Sequence, residues 1–302
     1  MPLWKWLLLN VYYHASQPAR WWIHCKLAAQ RRMPIAVLYY HRIADDAATE
    51  CTLPNQTFIE QMRWLRRNFD LISMEEVQRR LQSGVNDRPA VHITFDDGYA
   101  DNCQTAIPWL IKEQVPCTYF VTVQNILECR PFDHDLKCGA NLPPNSLEEI
   151  RAMARAGIEI GAHTYSHADM GQVTDPAVLR RELVVARQEL GVAIGRPVRY
   201  FSFPFGLRAN LSCQAFALAA QCGYDCVCSA YGGYNYPGDD PFHVHRIPAV
   251  CEMLRLKNWL TADPRKIHTR RFEHRCHEDR IGLPPFDGQI EEAFHVVPSS
   301  ID

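Results

Sequence analysis

Short apolar runs alternate with amphipathic stretches along most of the chain. "PIAVLYY" (34–40) is continuously apolar, β-branched and aromatic, which predicts a strand buried on both faces. The same reading places strands at 90–95 ("AVHITF"), 117–123, 158–162, 198–203 and 225–230, with a last one inside 243–250. Helical spacing recurs between them. Thr57 and Glu60 read as a capping box opening a helix through about Phe69, and Ser73 with Glu76 opens a second over 74–81 that stops at Gly84. Further helices are predicted over 101–114 with a kink at Pro108, from Ser146 to Gly157, over 176–194 behind Asp175, over 212–222 and over 251–261. The polar, Pro-containing stretch 128–145 is assigned no element. About seven alternating units predict an α/β protein whose parallel strands close, or nearly close, into a (β/α)7-type barrel, with its chemistry at the carboxyl ends of the strands.

The alternation sets the domain limits: a basic, aromatic extension over 1–33, one barrel over 34–262, and a charged, proline-bearing tail over 263–302 expected to pack loosely. At 302 residues with 47% apolar content the chain can bury a full core, and a net charge of −2 gives no reason to expect nucleic acid. The twelve cysteines are irregularly spaced with no CxxC pair, which argues against a zinc ribbon; Cys222, Cys226 and Cys228 read as small buried residues. No Asp or Glu precedes Asp45, while Lys5, Arg20, Lys26, Arg31 and Arg32 lie among Trp4, Trp6, Trp21 and Trp22. The apolar run there is too short for a signal peptide or a bilayer span. A cytoplasmic or membrane-peripheral protein is expected, the extension either resting on an anionic membrane surface or packing on the outside of the barrel.

Candidate chemistry gathers at three strand ends. In "HITFDDGYADN" (92–102) Asp96 and Asp97 stand side by side where an apolar strand stops, and Gly98 frees the turn. Adjacent carboxylates repel, so a bound cation is the simplest compensation, with one acid on the metal and the other free. In "GAHTYSHADM" His163 and His167 are four apart and would share one face of a helical turn. One Asp and two His leave open positions, as a catalytic zinc requires, and Thr164 could hydrogen-bond behind them. In "RYFSFPFG" (199–206) Pro204 and Gly206 fix a turn that could aim the Phe205 amide into the mouth as an oxyanion donor. His92 reads as a satisfied histidine of the barrel wall, and Tyr99, Tyr165, Tyr231, Tyr234 and Tyr236 as either sugar platforms or packing anchors.

Together these pieces resemble the polysaccharide deacetylase (NodB-like) family of carbohydrate esterases. "TFDDGYADN" matches its first motif, "HTYSH" its His-(Ser/Thr)-x-x-His metal motif, and "FPFG" the end of its third, over about residues 34–250. The resemblance implies a distorted barrel that removes N-acetyl groups from an amino-sugar-containing poly- or oligosaccharide, or a precursor of one. It implies a divalent metal, zinc foremost with nickel, cobalt or iron as alternatives, held by Asp97, His163 and His167. Asp96 would be the general base and the Phe205 backbone would face the oxyanion. Two departures stand out. Ser202 occupies the place of the arginine that steers the catalytic Asp in many members, so Arg199 or Arg246 would have to substitute. The late leucine-x-histidine motif is replaced by "HVHRIPA", leaving His245, His243 and His41 as rival general acids. The early "YHR" and late "RIP" are similar to the bacterial exopolysaccharide-associated branch. Two other readings remain: a silent glycan-binding barrel that kept its metal site, and an iron(II) oxygenase using the same two-His, one-carboxylate set.

Overall fold

The computed structural model describes residues 3–274. Seven parallel strands form the barrel wall: β1 (Ile35–Tyr40), β2 (Ala90–Phe95), β3 (Cys117–Val121), β4 (Glu159–Ala162), β5 (Tyr200–Ser202), β6 (Cys226–Ser229) and β7 (His243–His245, resuming at Ile247–Pro248). Each pairs with the next along the chain, and β7 closes the ring. Its first half bonds β6 through Val244 and Cys228, and its second half bonds β1 through Ile247 and Leu38. Arg246 sits at the break between the halves. The predicted (β/α)7-type barrel is the observed one.

Side-chain alternation sorts the wall into two faces. Ile35, Val37, Ala90, Phe120, Tyr200, Cys226, Cys228 and Val244 form the apolar filling of the barrel. Val91, Ile93 and Phe95 point outward into the larger core shared with the helices. On the inner face of β2 the sequence after Ala90 is His92, Thr94, Asp96, so a polar column climbs the interior toward the carboxyl end. His92 is satisfied as expected, by the Ile72 carbonyl at 2.7 Å and Thr118 Oγ1 at 2.9 Å. Burial, which favours the neutral imidazole, lowers its pKa to about 4.

The helices follow the predicted order with shifted ends. The helix Asn55–Asn68 begins before the Thr57–Glu60 box, because Asp45 reaches across to accept from the Asn55 amide at 2.9 Å. The predicted 101–114 helix is a short turn at Ala100–Cys103 followed by Ala106–Lys112, which puts Pro108 in the first helical turn, where no kink arises. The unassigned 128–145 stretch contains a helical turn at Asp133–Lys137. Ser146 and Glu149 form the expected reciprocal capping box.

Both terminal segments pack more closely than their composition suggests. Residues 3–29 form two helices, Leu3–Ala15 and Gln17–Ala29. Their buried Arg20 donates to the Asn258 and Thr261 carbonyls at 2.9 Å beneath the last helix, Met253–Leu260. Residues 263–274, expected to be loose, are held: Arg271 donates to the His243 carbonyl at 2.9 Å and Phe272 stacks on Phe216. The rest of the predicted tail lies outside the described residues. Among the described residues no helix is long and apolar enough to cross a membrane.

Candidate metal and catalytic site

Asp96 and Asp97 leave the end of β2 in opposed directions. Asp96 continues the inner face and meets Arg246, whose guanidinium grips it with two parallel hydrogen bonds, 2.7 Å to Oδ1 and 2.8 Å to Oδ2. Arg246 is fully buried and also donates to Thr94 Oγ1 (3.1 Å), Ser202 Oγ (2.5 Å) and the Ser229 carbonyl (3.2 Å). Its charge lies over the Tyr39 ring at 4.9 Å and the Phe120 ring at 5.4 Å. Every donor direction of the fork is used, the condition under which a buried ion pair is tolerated. Burial alone would raise the Asp96 pKa, but the Arg246 charge outweighs it and holds the carboxyl below its usual range.

Asp97 turns the other way. It adopts the left-handed φ of 70°, and Gly98 follows at 103°, where a Cβ would press on Ile126 and Val121. Its Oδ1 lies 3.5 Å from His163 Nε2 and 3.2 Å from His167 Nε2. These approaches fall in ion-pair range but off the hydrogen-bonding direction, and buried Asp97 Oδ1 has no hydrogen-bond partner. His163 Nδ1 is 2.9 Å from the Ser202 carbonyl, so it carries the proton and Nε2 presents a lone pair. Burial lowers the His163 pKa to about 4, keeping the imidazole in its ligating form. One ligand atom from each of the three residues lies within 4.8 Å of the others, a spacing that can hold a metal ion. The Asp97 carboxylate and the His163 lone pair converge beside the His167 ring, a set that fits a cation.

The two histidines do not share a helical turn, contrary to the sequence expectation. Residues 163–169 form a loop in which Thr164 (φ 59°) and His167 (φ 62°) are both left-handed. Such a conformation is costly for a β-branched threonine and persists only where surrounding contacts over-determine it. Here Thr164 Oγ1 accepts from the Ala168 amide, and buried Glu182 accepts from the Ser166 amide at 2.9 Å and its hydroxyl at 2.7 Å. Glu182 escaped the sequence reading, although it falls three residues after Leu179 on an otherwise apolar helix face. It lies in the π-helical segment Arg181–Val185, a distortion common near functional sites.

Phe205 is a fourth left-handed residue of the site (φ 59°), and its ring packs edge-on against His167 at 5.1 Å. A cavity of about 370 Å³ opens beside it, lined by His134, His167 and Arg130. His41, just past β1, lines a second of about 310 Å³ with Tyr39 and Cys51, within electrostatic reach of both Asp96 and Asp97. Two anticipated residues lie elsewhere. Arg199, offered as an orienting group, pairs with Asp225 at 2.6 Å on the surface beside the start of β5, so Arg246 alone contacts Asp96. His245, like His243, points to the outer face of β7, because alternation gives the inner face to Val244 and Arg246. His245 Nε2 meets the Tyr231 hydroxyl at 2.7 Å, away from the acids. Tyr99 and Tyr234 are buried anchors rather than sugar platforms.

A seven-stranded parallel barrel with an Asp-His-His cluster and an adjacent second carboxylate at its carboxyl face belongs to the NodB-like deacetylase fold. Residues 83–227 match the family model for polysaccharide deacetylase. The curated Bacillus subtilis protein YxkH, whose name refers to this family, is 25% identical over 223 residues, 73% of each chain. Among solved structures, IcaB from Ammonifex degensii superposes with a TM-score of 0.64 at 21% identity over 76% of this chain and 97% of its own. The Streptococcus pyogenes deacetylase PplD gives 0.62 at 21% over 76% and 98%. A de-N-acetylase from Aggregatibacter actinomycetemcomitans gives 0.60 at 18% over 75% and 100%. The structural matches establish the shared fold.

Proposed function

We propose that the protein is a metal-dependent carbohydrate N-deacetylase, hydrolysing the acetamide of an N-acetylated sugar in a poly- or oligosaccharide or its precursor. The observation that carries this reading is the division of labour between adjacent acids, Asp96 saturated by Arg246 and Asp97 facing the ring nitrogens of His163 and His167. Asp97, His163 and His167 would hold the cation; zinc suits this ligand set with its open positions, and nickel, cobalt or iron are compatible. When bound, the cation would acidify a water and polarise the acetyl carbonyl. Asp96, kept ionised by Arg246, accepts the proton of the attacking water. The Phe205 N–H donates to the carbonyl oxygen as negative charge develops on it. His41 delivers a proton to the nitrogen as the C–N bond breaks, so acetate and a free amine leave. Arg246 takes the part of the motif arginine absent at Ser202, which removes the main motive for a silent barrel. The "YHR" and "RIP" segments support placement in the exopolysaccharide-associated branch.

The test is acetate release from a panel of N-acetylated oligosaccharides, run beside elemental analysis of the purified protein. Release that requires a bound divalent metal is expected. Full activity in Asp96→Asn, or no release from any substrate by metal-loaded protein, would refute the assignment.

A further inference from the structure

The two N-terminal helices present two unlike faces. One is fixed to the barrel: Arg20 is buried against Asn258 and Thr261, and the Tyr12 hydroxyl donates to Asp263 at 2.7 Å. The remaining surface of the two helices carries large apolar side chains into solvent, with Trp4 at 59%, Leu8 at 60%, Trp21 at 70% and Trp22 at 60% exposure, joined by Trp6 and Leu7. Scattered exposed apolar residues need no explanation, but six large ones on one pair of 13-residue helices mark an interaction surface.

We infer that this hairpin is a foot that seats the enzyme on an anionic membrane surface, its helices lying in the plane of the headgroups. Three observations select a bilayer over other occupants. Each helix has 13 residues, a length of about 20 Å that cannot cross a bilayer core of about 30 Å but suits lying along it. Exposed lysines accompany the tryptophans, Lys5 Nζ at 5.3 Å over the Trp4 ring and Lys26 Nζ at 5.3 Å over the Trp22 ring. Apolar rings with cations at their edge suit the boundary between acyl chains and anionic headgroups. No acidic residue occurs before Asp45, so a second copy docking on the same patch would oppose like charges, whereas an anionic bilayer complements them.

The test is cosedimentation of the full chain with phosphatidylcholine vesicles containing a quarter phosphatidylserine, and with pure phosphatidylcholine vesicles. Size-exclusion chromatography of the lipid-free protein accompanies it. Binding to the anionic vesicles is expected, at least ten-fold weaker on neutral ones or in 0.5 M salt. It should weaken at least ten-fold in Trp4→Ala/Trp21→Ala/Trp22→Ala and in Lys5→Glu/Lys26→Glu. The lysine variant carries the test should the tryptophan variant fail to fold. Wild-type protein that stays with the supernatant at every lipid concentration overturns the inference, as does binding unchanged in both variants. So does a dimer that the tryptophan variant converts to monomer without any lipid binding, which would make the patch an interface between copies.

Discussion

Asp96 and Asp97 are chain neighbours, equally buried, and chemically opposite. Asp96 has its charge matched by Arg246, and that arginine is in turn bonded to Thr94, Ser202 and the Ser229 carbonyl. Asp97 faces two imidazole nitrogens, and its Oδ1 has no hydrogen-bond partner. A saturated polar cluster is complete in itself, whereas an unsaturated one can take up a positive charge. Backbone strain follows the same division. Left-handed conformations at Asp97, Thr164, His167 and Phe205 gather around the unsaturated cluster, where geometry must be imposed on the ligands in advance.

The largest effect should come from breaking the saturated side. Asp96→Asn leaves the Arg246 charge buried and unpaired, expected to cost about 3–5 kcal/mol in unfolding free energy. Loss of the proton acceptor should lower kcat by about 10²–10⁴-fold. Denaturant unfolding of metal-free protein and acetate release measure the two separately. Asp97→Asn sharpens the contrast. Its amide can donate to an imidazole lone pair, so the metal-free variant should keep its stability within about 1 kcal/mol of the parent. The rise in Tm that saturating zinc gives the chelator-treated wild type, through binding to the folded state alone, should vanish in this variant. If Asp97→Asn destabilised the metal-free protein as much as Asp96→Asn, the two carboxylates would not differ in the way described.

What was legible in the sequence divides along the same line. The strands and the ends Asp96–Asp97, His163–His167 and Phe203–Gly206 could be read because apolar runs and turn residues are local signals. The partner of Asp96 could only be narrowed to Arg199 or Arg246. These lie 47 residues apart in the chain, and choosing between them requires knowing that β7 breaks at Arg246 and turns it inward. The helical turn assumed for His163–His167 failed because four-residue spacing does not distinguish a helix from a loop with two left-handed residues. The 263–274 strap was misjudged because its composition is polar, while its fixing comes from single long-range bonds such as Arg271 to the His243 carbonyl.

The general acid offers a comparison of intermediate size between the two faces of the barrel wall. His41 lies at a strand end within electrostatic reach of both acids, and His245 is turned outward against Tyr231. His41→Asn should reduce kcat by about 10²-fold on substrates with a poor amine leaving group, with KM little changed. His245→Asn should leave kcat within about three-fold, since removing a buried imidazole packed against Tyr231 and His243 acts on stability rather than on the reacting bond. The reverse pattern would move the acid to the outer face and require the β7 register to change.

The smallest effect concerns what holds the unsaturated side in shape. Glu182 touches no proposed ligand; it accepts from Ser166 one residue before His167 and so fixes the strained loop from beneath. In Glu182→Gln the amide group can still accept from the Ser166 amide, but the bonds lose their charge-assisted strength, a loss of about 1 kcal/mol. Packing and helix are retained, so global stability should fall only by about that amount. Affinity for the cation should fall further, by about 10–100-fold, because loosening the support of a ligand widens the geometry the metal must organise. Competitive chelator titration reads that affinity directly. An unchanged metal affinity alongside a lowered Tm would reduce Glu182 to a packing residue and leave the strain at Thr164 and His167 to be explained by the strand end alone.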